Sequence, residues 1–250
     1  VKYADYVLES KKAEFNGESS TSKLYEGYPL FSDKSNGTSS NNRYGTTYNT
    51  IFGNGACKES IFELIYSSDE TMLSNGSVSY LYGNNTANSY PGIIKPSDYI
   101  ASDVTDAQFK VFRDKYDSRY YSSITQVAST TYGIAKYANH SVDIDASEST
   151  ITSKGVLYNS SNCYAPWIIY RTADVMLMKA EALVQMVNSD AESDEELANN
   201  ESLLKQAFEI VNVLEKRSSM ASNFTNLSYS DYSSKSQMEE LVLLERQREL

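Results

Sequence analysis

Histidine and tryptophan each occur once in the 250 residues, cysteine twice and proline four times. Each scarcity removes a class of chemistry. A His-based triad would have to use His140, which sits in the polar stretch Ala138-Asn139-His140-Ser141 and reads as an exposed loop residue. Cys57 and Cys163 show no CxxC or Cys/His spacing, so no zinc site is indicated. A single disulfide and two thiols both fit the pair, and buried thiols are expected. No stretch approaches the roughly 20 apolar residues that span a bilayer. Basic residues number 22 against 33 acidic ones, a net charge of −11 with a pI near 4.7. Phosphate binding needs clustered Lys and Arg, so nucleic acid is excluded as a main partner. No Walker A or GxGxxG pattern marks a nucleotide site. The sequence begins at Val1 with no leader of its own and stops inside a helical pattern. Both ends are expected to be cuts in a longer chain, about twice this length, with any signal peptide or lipid anchor outside the segment.

Tyrosine is what the chain has in excess: 21 Tyr against 8 Phe, among plentiful Ser and Asn. Tyr offers a flat apolar face and a hydroxyl, a mixture that suits polar ligands. The sequence divides into residues 1–165, irregular after a short N-terminal helix end, and residues 166–250, helical; the two are expected to form one domain. In the first part, Ser60–Tyr66 and Ser77–Tyr82 read as short strands bounded by turn residues. Asp106–Tyr116 reads as a short helix capped by Thr105 or Asp106. In the second part, Ile169, Ala173, Met176, Ala180, Leu183 and Val187 fall at steps of three and four along one helix from Trp167, with Pro166 at its entry. A second helix follows Ser193-Asp194-Glu195-Glu196 and a third opens at Ser236-Gln237-Met238-Glu239, both of capping-box form. The first two look like an antiparallel hairpin of the kind stacked in helical repeats, and one hairpin needs neighbours to cover its apolar faces. Those neighbours are expected from outside the segment. The fold class is therefore mainly α: helical hairpins plus a large irregular region with short β-strands.

Long irregular connections are uncommon unless functional, so the middle region is where a ligand is sought. Tyr44, Tyr48, Tyr80, Tyr82 and Tyr90 lie there among Asn, Ser and Gly, with Asn84 and Asn85 beside them. Stacking on sugar rings and hydrogen bonds to hydroxyls are what such residues could supply; packing over a loop-rich core is the plainer use of any one of them. The carboxylate pairs Asp103/Asp106, Asp114/Asp117 and Asp143/Asp145 have the residue types glycoside hydrolysis needs, but with so many acids such pairs arise by chance. Asp143-Ile144-Asp145 and Asp190–Glu196 could bind calcium but lack EF-hand spacing, so no cofactor is expected.

The run Pro166-Trp167-Ile168-Ile169-Tyr170-Arg171-Thr172-Ala173-Asp174-Val175-Met176-Leu177-Met178-Lys179-Ala180-Glu181-Ala182 resembles the hallmark helix of the SusD/RagB family. Leu243-Leu244-Glu245-Arg246-Gln247-Arg248-Glu249-Leu250 resembles its E-R-x-x-E-L motif. Ile51-Phe52-Gly53 with Glu59-Ser60-Ile61-Phe62-Glu63, then Tyr116-Asp117-Ser118-Arg119, then Ala135-Lys136-Tyr137, resemble further elements of the family, all in its order. Thr172 and Lys179 stand where the family usually has Tyr. Its lipid-bearing Cys is not in the segment, since Cys57 sits in no lipobox. Arg171, Asp174, Glu181, Glu245, Arg246 and Glu249 carry the signature. Arg171 and Asp174, three apart, can pair on one helix face, and the set reads as packing and salt-bridge residues rather than catalytic ones. The resemblance implies a TPR-like superhelix in a surface-exposed outer-membrane lipoprotein of Bacteroidetes-type bacteria. Such a protein would capture a polysaccharide, oligosaccharide or peptide for a SusC-like TonB-dependent transporter, with no enzymatic step. The competing readings are a helical scaffold that binds the transporter without a small ligand of its own and, behind it, a glycoside hydrolase.

Overall fold

The computed structural model describes residues 1–16, 24–32, 41–44, 46–67, 74–82, 92–97, 111–128, 131–137, 139–145, 151–156, 164–221 and 224–250. The fold is mainly helical with a few short strands. Two compact units emerge: Val1–Phe31, Arg171–Arg217 and Asn223–Leu250 form the first; Ser32–Tyr170 and Ser218–Ser222 form the second.

The first unit is built from helices α1 (Lys2–Asn16), α5 (Thr172–Gln185), α6 (Asp194–Ser218) and α7 (Lys235–Glu249). The apolar spacing of α5 puts Ala173, Met176, Ala180 and Leu183 on one face, and all four are buried. This face packs against both α1 and α7, and Leu203, Ala207, Ile210, Val211 and Leu214 of α6 join the same core. The neighbours expected from outside the segment are thus supplied inside it, by Leu8 of α1 and by Met238, Leu241 and Val242 of α7. Lys179, in place of the family's usual Tyr, reaches Asp5 of α1 at 2.7 Å.

Two helix starts differ from the sequence expectation. Trp167–Arg171 is a strand, β7, and the helix begins only at Thr172. The β-branched Ile168-Ile169 after Pro166 pair with β2 (Ser60–Leu64) in a two-stranded ribbon. α7 opens two residues early: Ser234 is its cap and Gln237 closes the box, rather than Ser236 with Glu239. The Ser193–Glu196 box forms as read. The Ser193 hydroxyl accepts from the Glu196 N–H at 3.3 Å, and the Glu196 carboxylate accepts from the Ser193 N–H at 3.2 Å.

The second unit holds β1 (Asn41–Tyr44), the helical turn α2 (Thr46–Tyr48) running into a π-turn over Asn49–Asn54, β2, α3 (Gly76–Tyr82), α4 (Ser118–Ser123) and strands β3–β7. β5 (Asn139–Asp145) is the centre of an antiparallel sheet in the order β1-β5-β6, with β6 at Ile151–Val156. β3 (Ile124–Ala128) and β4 (Thr131–Ile134) form a hairpin whose register shifts between Gln126 and Ala128. His140 belongs to β5, opposite Gly155, and not to a loop. Ser77–Tyr82 is helical, not a strand. Val78 and Tyr82, four apart, share the inward side, while Tyr80 between them is exposed, which is a helical and not a two-residue period. Of Asp106–Tyr116, residues 106–110 lie outside the described residues and 111–116 are bends and turns. The helix there starts at Ser118, with the Asp117 carboxylate accepting from the Arg119 N–H.

Candidate functional site

Three half-buried aromatic rings converge in the second unit. Tyr82 ends α3, Tyr137 follows β4 and Trp167 opens β7. Tyr82 and Tyr137 stack with centroids 5.5 Å apart and planes 18° from parallel. Trp167 meets Tyr137 edge-on at 5.0 Å and Tyr82 at 6.1 Å. Phe52 buttresses Tyr137 edge-on at 5.6 Å, and the Lys136 ammonium lies 4.8 Å from the Phe52 centroid. Beneath the rings Val78 and Ala165 are buried. The buried Asn75 amide donates to the Ala165 carbonyl at 2.7 Å, while its Oδ1 has no partner among the described residues. Burial raises the Tyr82 phenol above its ordinary pKa, so it stays protonated and both donates and accepts at neutral pH. Partly open rings with a phenol at the edge can stack on the C–H face of a sugar and bond its hydroxyls.

The residues singled out from sequence scatter. Tyr82 is in this cluster. Tyr80, on the same helix, is 63% exposed. Tyr48 is only 4% exposed. Its ring stacks on Phe52 and its hydroxyl shares a hydrogen bond with Ser218 at 3.3 Å, so it presents no ring face to a ligand. Tyr44 ends β1, opposite Val142. Tyr90, Asn84 and Asn85 lie outside the described residues. Trp167 and Tyr137 were not singled out as ligand contacts. The available signal was the lone Trp, which an assumed helix from Trp167 hid.

The carboxylates considered for hydrolysis are accounted for differently. Asp117 makes a buried two-pronged ion pair with Arg119, Oδ2 to Nη2 at 2.8 Å, and Asp114 accepts from the Tyr116 N–H at 2.7 Å. Asp143 and Asp145 are in β5, while Asp103 and Asp106 lie outside the described residues. Among the described residues no group of three or more His, Cys, Asp or Glu is placed to hold a metal ion.

The signature residues meet in the first unit. Glu249, at the end of α7, holds two arginines: Arg171 Nη1 at 2.8 Å, and Arg217 at the end of α6. Arg171 also donates to the Glu249 main-chain carbonyl. Arg171, Arg217 and Glu249 are all buried. Next to them Arg248 pairs with Glu215 and lies 3.6 Å from Glu245. Arg246 lies 3.6 Å from Asp174 and 4.0 Å from Glu181. The expected Arg171–Asp174 pair is replaced by these contacts. Arg171 has extended backbone (φ −140°, ψ 169°) before the helix begins, so the three-residue helical spacing to Asp174 does not exist. The arrangement joins the start of α5 to the ends of α6 and α7.

A family model described as the SusD family matches residues 29–250. No curated protein and no solved structure matches the chain. The match takes in the ribbon, the aromatic cluster and the whole signature network, and on it the chain belongs to the SusD family.

Proposed function

We propose that this protein captures a glycan at the bacterial cell surface for a SusC-like, TonB-dependent transporter. SusD-family proteins are in general non-catalytic, outer-membrane nutrient-binding proteins that work with such a transporter. The observation that carries the reading to this chain is the half-buried cluster of Tyr82 stacked on Tyr137 with Trp167 edge-on to both, ring surface of the kind that packs against sugars. Anchoring is by a lipid outside this segment. No helix among the described residues is long and apolar enough to cross a membrane. The reading is tested by calorimetric titration with a panel of oligosaccharides. Tyr82→Ala and Trp167→Ala are each expected to weaken binding by up to about tenfold, since a ring contact is worth roughly 0.5–1.5 kcal/mol beyond area burial. Unchanged affinity in both variants refutes the assignment.

A second reading, protein docking, is favoured by the β2–β7 ribbon. Ile61, Phe62, Leu64 and Ile65 on one strand and its extension, and Ile169 and Tyr170 on the other, are all exposed. Exposed apolar clusters of this kind mark interaction surfaces. The readings separate by whether Phe62→Ser with Ile169→Ser abolishes co-purification with the transporter while leaving glycan affinity intact.

A further inference from the structure

The first unit carries an open cleft of about 680 Å³, within the size range of small-molecule sites. It lies where the end of α5, the first half of α6, the 3-10 turn Tyr229–Tyr232 and the first turn of α7 come together. Buried Val187 and Leu204 give it an apolar floor, exposed Leu197 an apolar rim and Tyr229 an aromatic wall.

The charged side chains around the cleft are each engaged inside the protein, Glu201 by an opposite charge and Lys235 and Glu239 by neutral groups. Lys235 donates to the Val187 carbonyl at 3.0 Å, Glu239 accepts from Gln185 at 2.7 Å, and Glu201 pairs with Lys205 at 2.7 Å. Asn200 is also engaged, with both backbone groups of Asn188. Lys235 and Glu239 are one charge of each sign, so no net charge is left over to favour an ionic ligand. What remains is neutral. The Tyr229 phenol and the Ser189 hydroxyl have no hydrogen-bond partner among the described residues, and the Ser233 and Ser236 hydroxyls each make a single long contact of 3.4 Å. The Tyr229 ring is held in place edge-on to Phe208 at 5.6 Å, with the Lys205 ammonium 5.6 Å from its centroid. Burial, and then the Glu201 charge, raise its phenol pKa, so the hydroxyl is a neutral donor at physiological pH.

An apolar floor, one aromatic wall and a rim of unengaged hydroxyls complement a ring with an apolar C–H face and hydroxyls at its edge. We propose that this cleft binds a neutral mono- or disaccharide through the Tyr229 ring and the Ser189, Ser233 and Ser236 hydroxyls. The argument does not depend on the Tyr82–Tyr137–Trp167 cluster, which is in the other unit.

The test is amide chemical-shift mapping on the whole chain, titrated with maltose, cellobiose, lactose and xylobiose. Glucose 6-phosphate, galacturonic acid and glycylglycine serve as charged comparators. At least one neutral disaccharide is expected to shift the amides of residues 187–189 and 229–236 and to saturate in the millimolar range, roughly the affinity of a shallow neutral site. Ser189→Trp, which fills the cleft from its exposed rim, and Tyr229→Ala are each expected to weaken that binding by about tenfold, with Tyr229→Phe retaining more of it. The melting temperature of Ser189→Trp should match the parent, which separates a blocked cleft from a damaged fold. The proposal is overturned if no neutral disaccharide shifts these amides, if a charged comparator binds there equally well, or if Ser189→Trp leaves affinity unchanged. Tyr82→Ala is the control. Shifts at 229–236 that survive it keep the cleft when the cluster loses its sugar. Shifts that vanish with it, while Ser189→Trp has no effect, remove the cleft alone.

Discussion

At the scale of single residues, Glu249 bears the most weight in the signature. One carboxylate serves Arg171 and Arg217, both buried. Removing one member of such a set strands charge in the interior, which costs far more than the intact pair contributes relative to apolar packing. Glu249→Ala is therefore expected to lower unfolding free energy by about 3–5 kcal/mol, read from urea denaturation. A loss no larger than that of an exposed ion pair would show that the network is not structural. Cys57 is a half-buried free thiol whose pKa is pushed from 9.0 to about 11, chiefly by burial and next by the Glu59 charge. Only the thiolate alkylates, so at pH 8 the Cys57 peptide should label about a hundredfold more slowly than an ordinary thiol, as timed iodoacetamide mapping would read. Labelling at the ordinary rate would contradict the burial. The tyrosines carry the same lesson. Tyr48 and Tyr82 stand in similar polar sequence, yet the first is sealed between nearby Phe52 and distant Ser218 and the second stacks on Tyr137, a difference to which partners far along the chain contribute.

At the scale of elements, helix starts show how much adjacent residues can dictate. The Ser193–Glu196 box was legible because both partners sit within one turn, and α6 forms behind it. Ser193→Ala is expected to cost about 1 kcal/mol, measured by thermal or urea unfolding. The hydrogen bonds from the Ser193 side chain, and then its backbone, hold the Glu196 carboxyl below its ordinary pKa of 4.5. The sign follows from that direction. The contribution is present in full above the ordinary carboxylate value and is lost as pH falls through the lowered one. The gap between the parent and Ser193→Ala should thus narrow, without closing, as pH falls below the ordinary carboxylate value, because the hydroxyl's bond to the Glu196 N–H does not titrate. A gap of unchanged size in acid would assign the effect to the hydroxyl alone. Two other elements were misread for one physical reason. Ser77–Tyr82 alternates like a strand, and Trp167–Arg171 continues a helical spacing, but the second pairs with β2 and the first has no strand partner among the described residues. Pairing is a non-local term that short apolar patterns do not contain.

At the scale of the molecule, the helical unit gathers residues from both ends of the segment. α1 covers the face of α5 with Leu8, and Lys179–Asp5 ties the two. Deleting residues 1–31 should uncover that face and lower the melting temperature by roughly 6 °C or more, since each kcal/mol is about 2–4 °C at this size. A truncated chain that melts with the parent would mean that α7 and α6 suffice. The sequence by itself determined the helical class, the capped α6, the apolar stripe of α5 and the family, because each is written in residues close together or in motifs kept in order. Only the tertiary structure decided that Arg171 answers to Glu249, 78 positions away, and not to Asp174. It also decided that Tyr82 stacks on Tyr137 with Trp167 edge-on to both, and that Tyr48 is sealed. These pairings are set by chain reversal and burial, which bring distant residues together at the cost of loop closure and leave no trace in the spacing of neighbours.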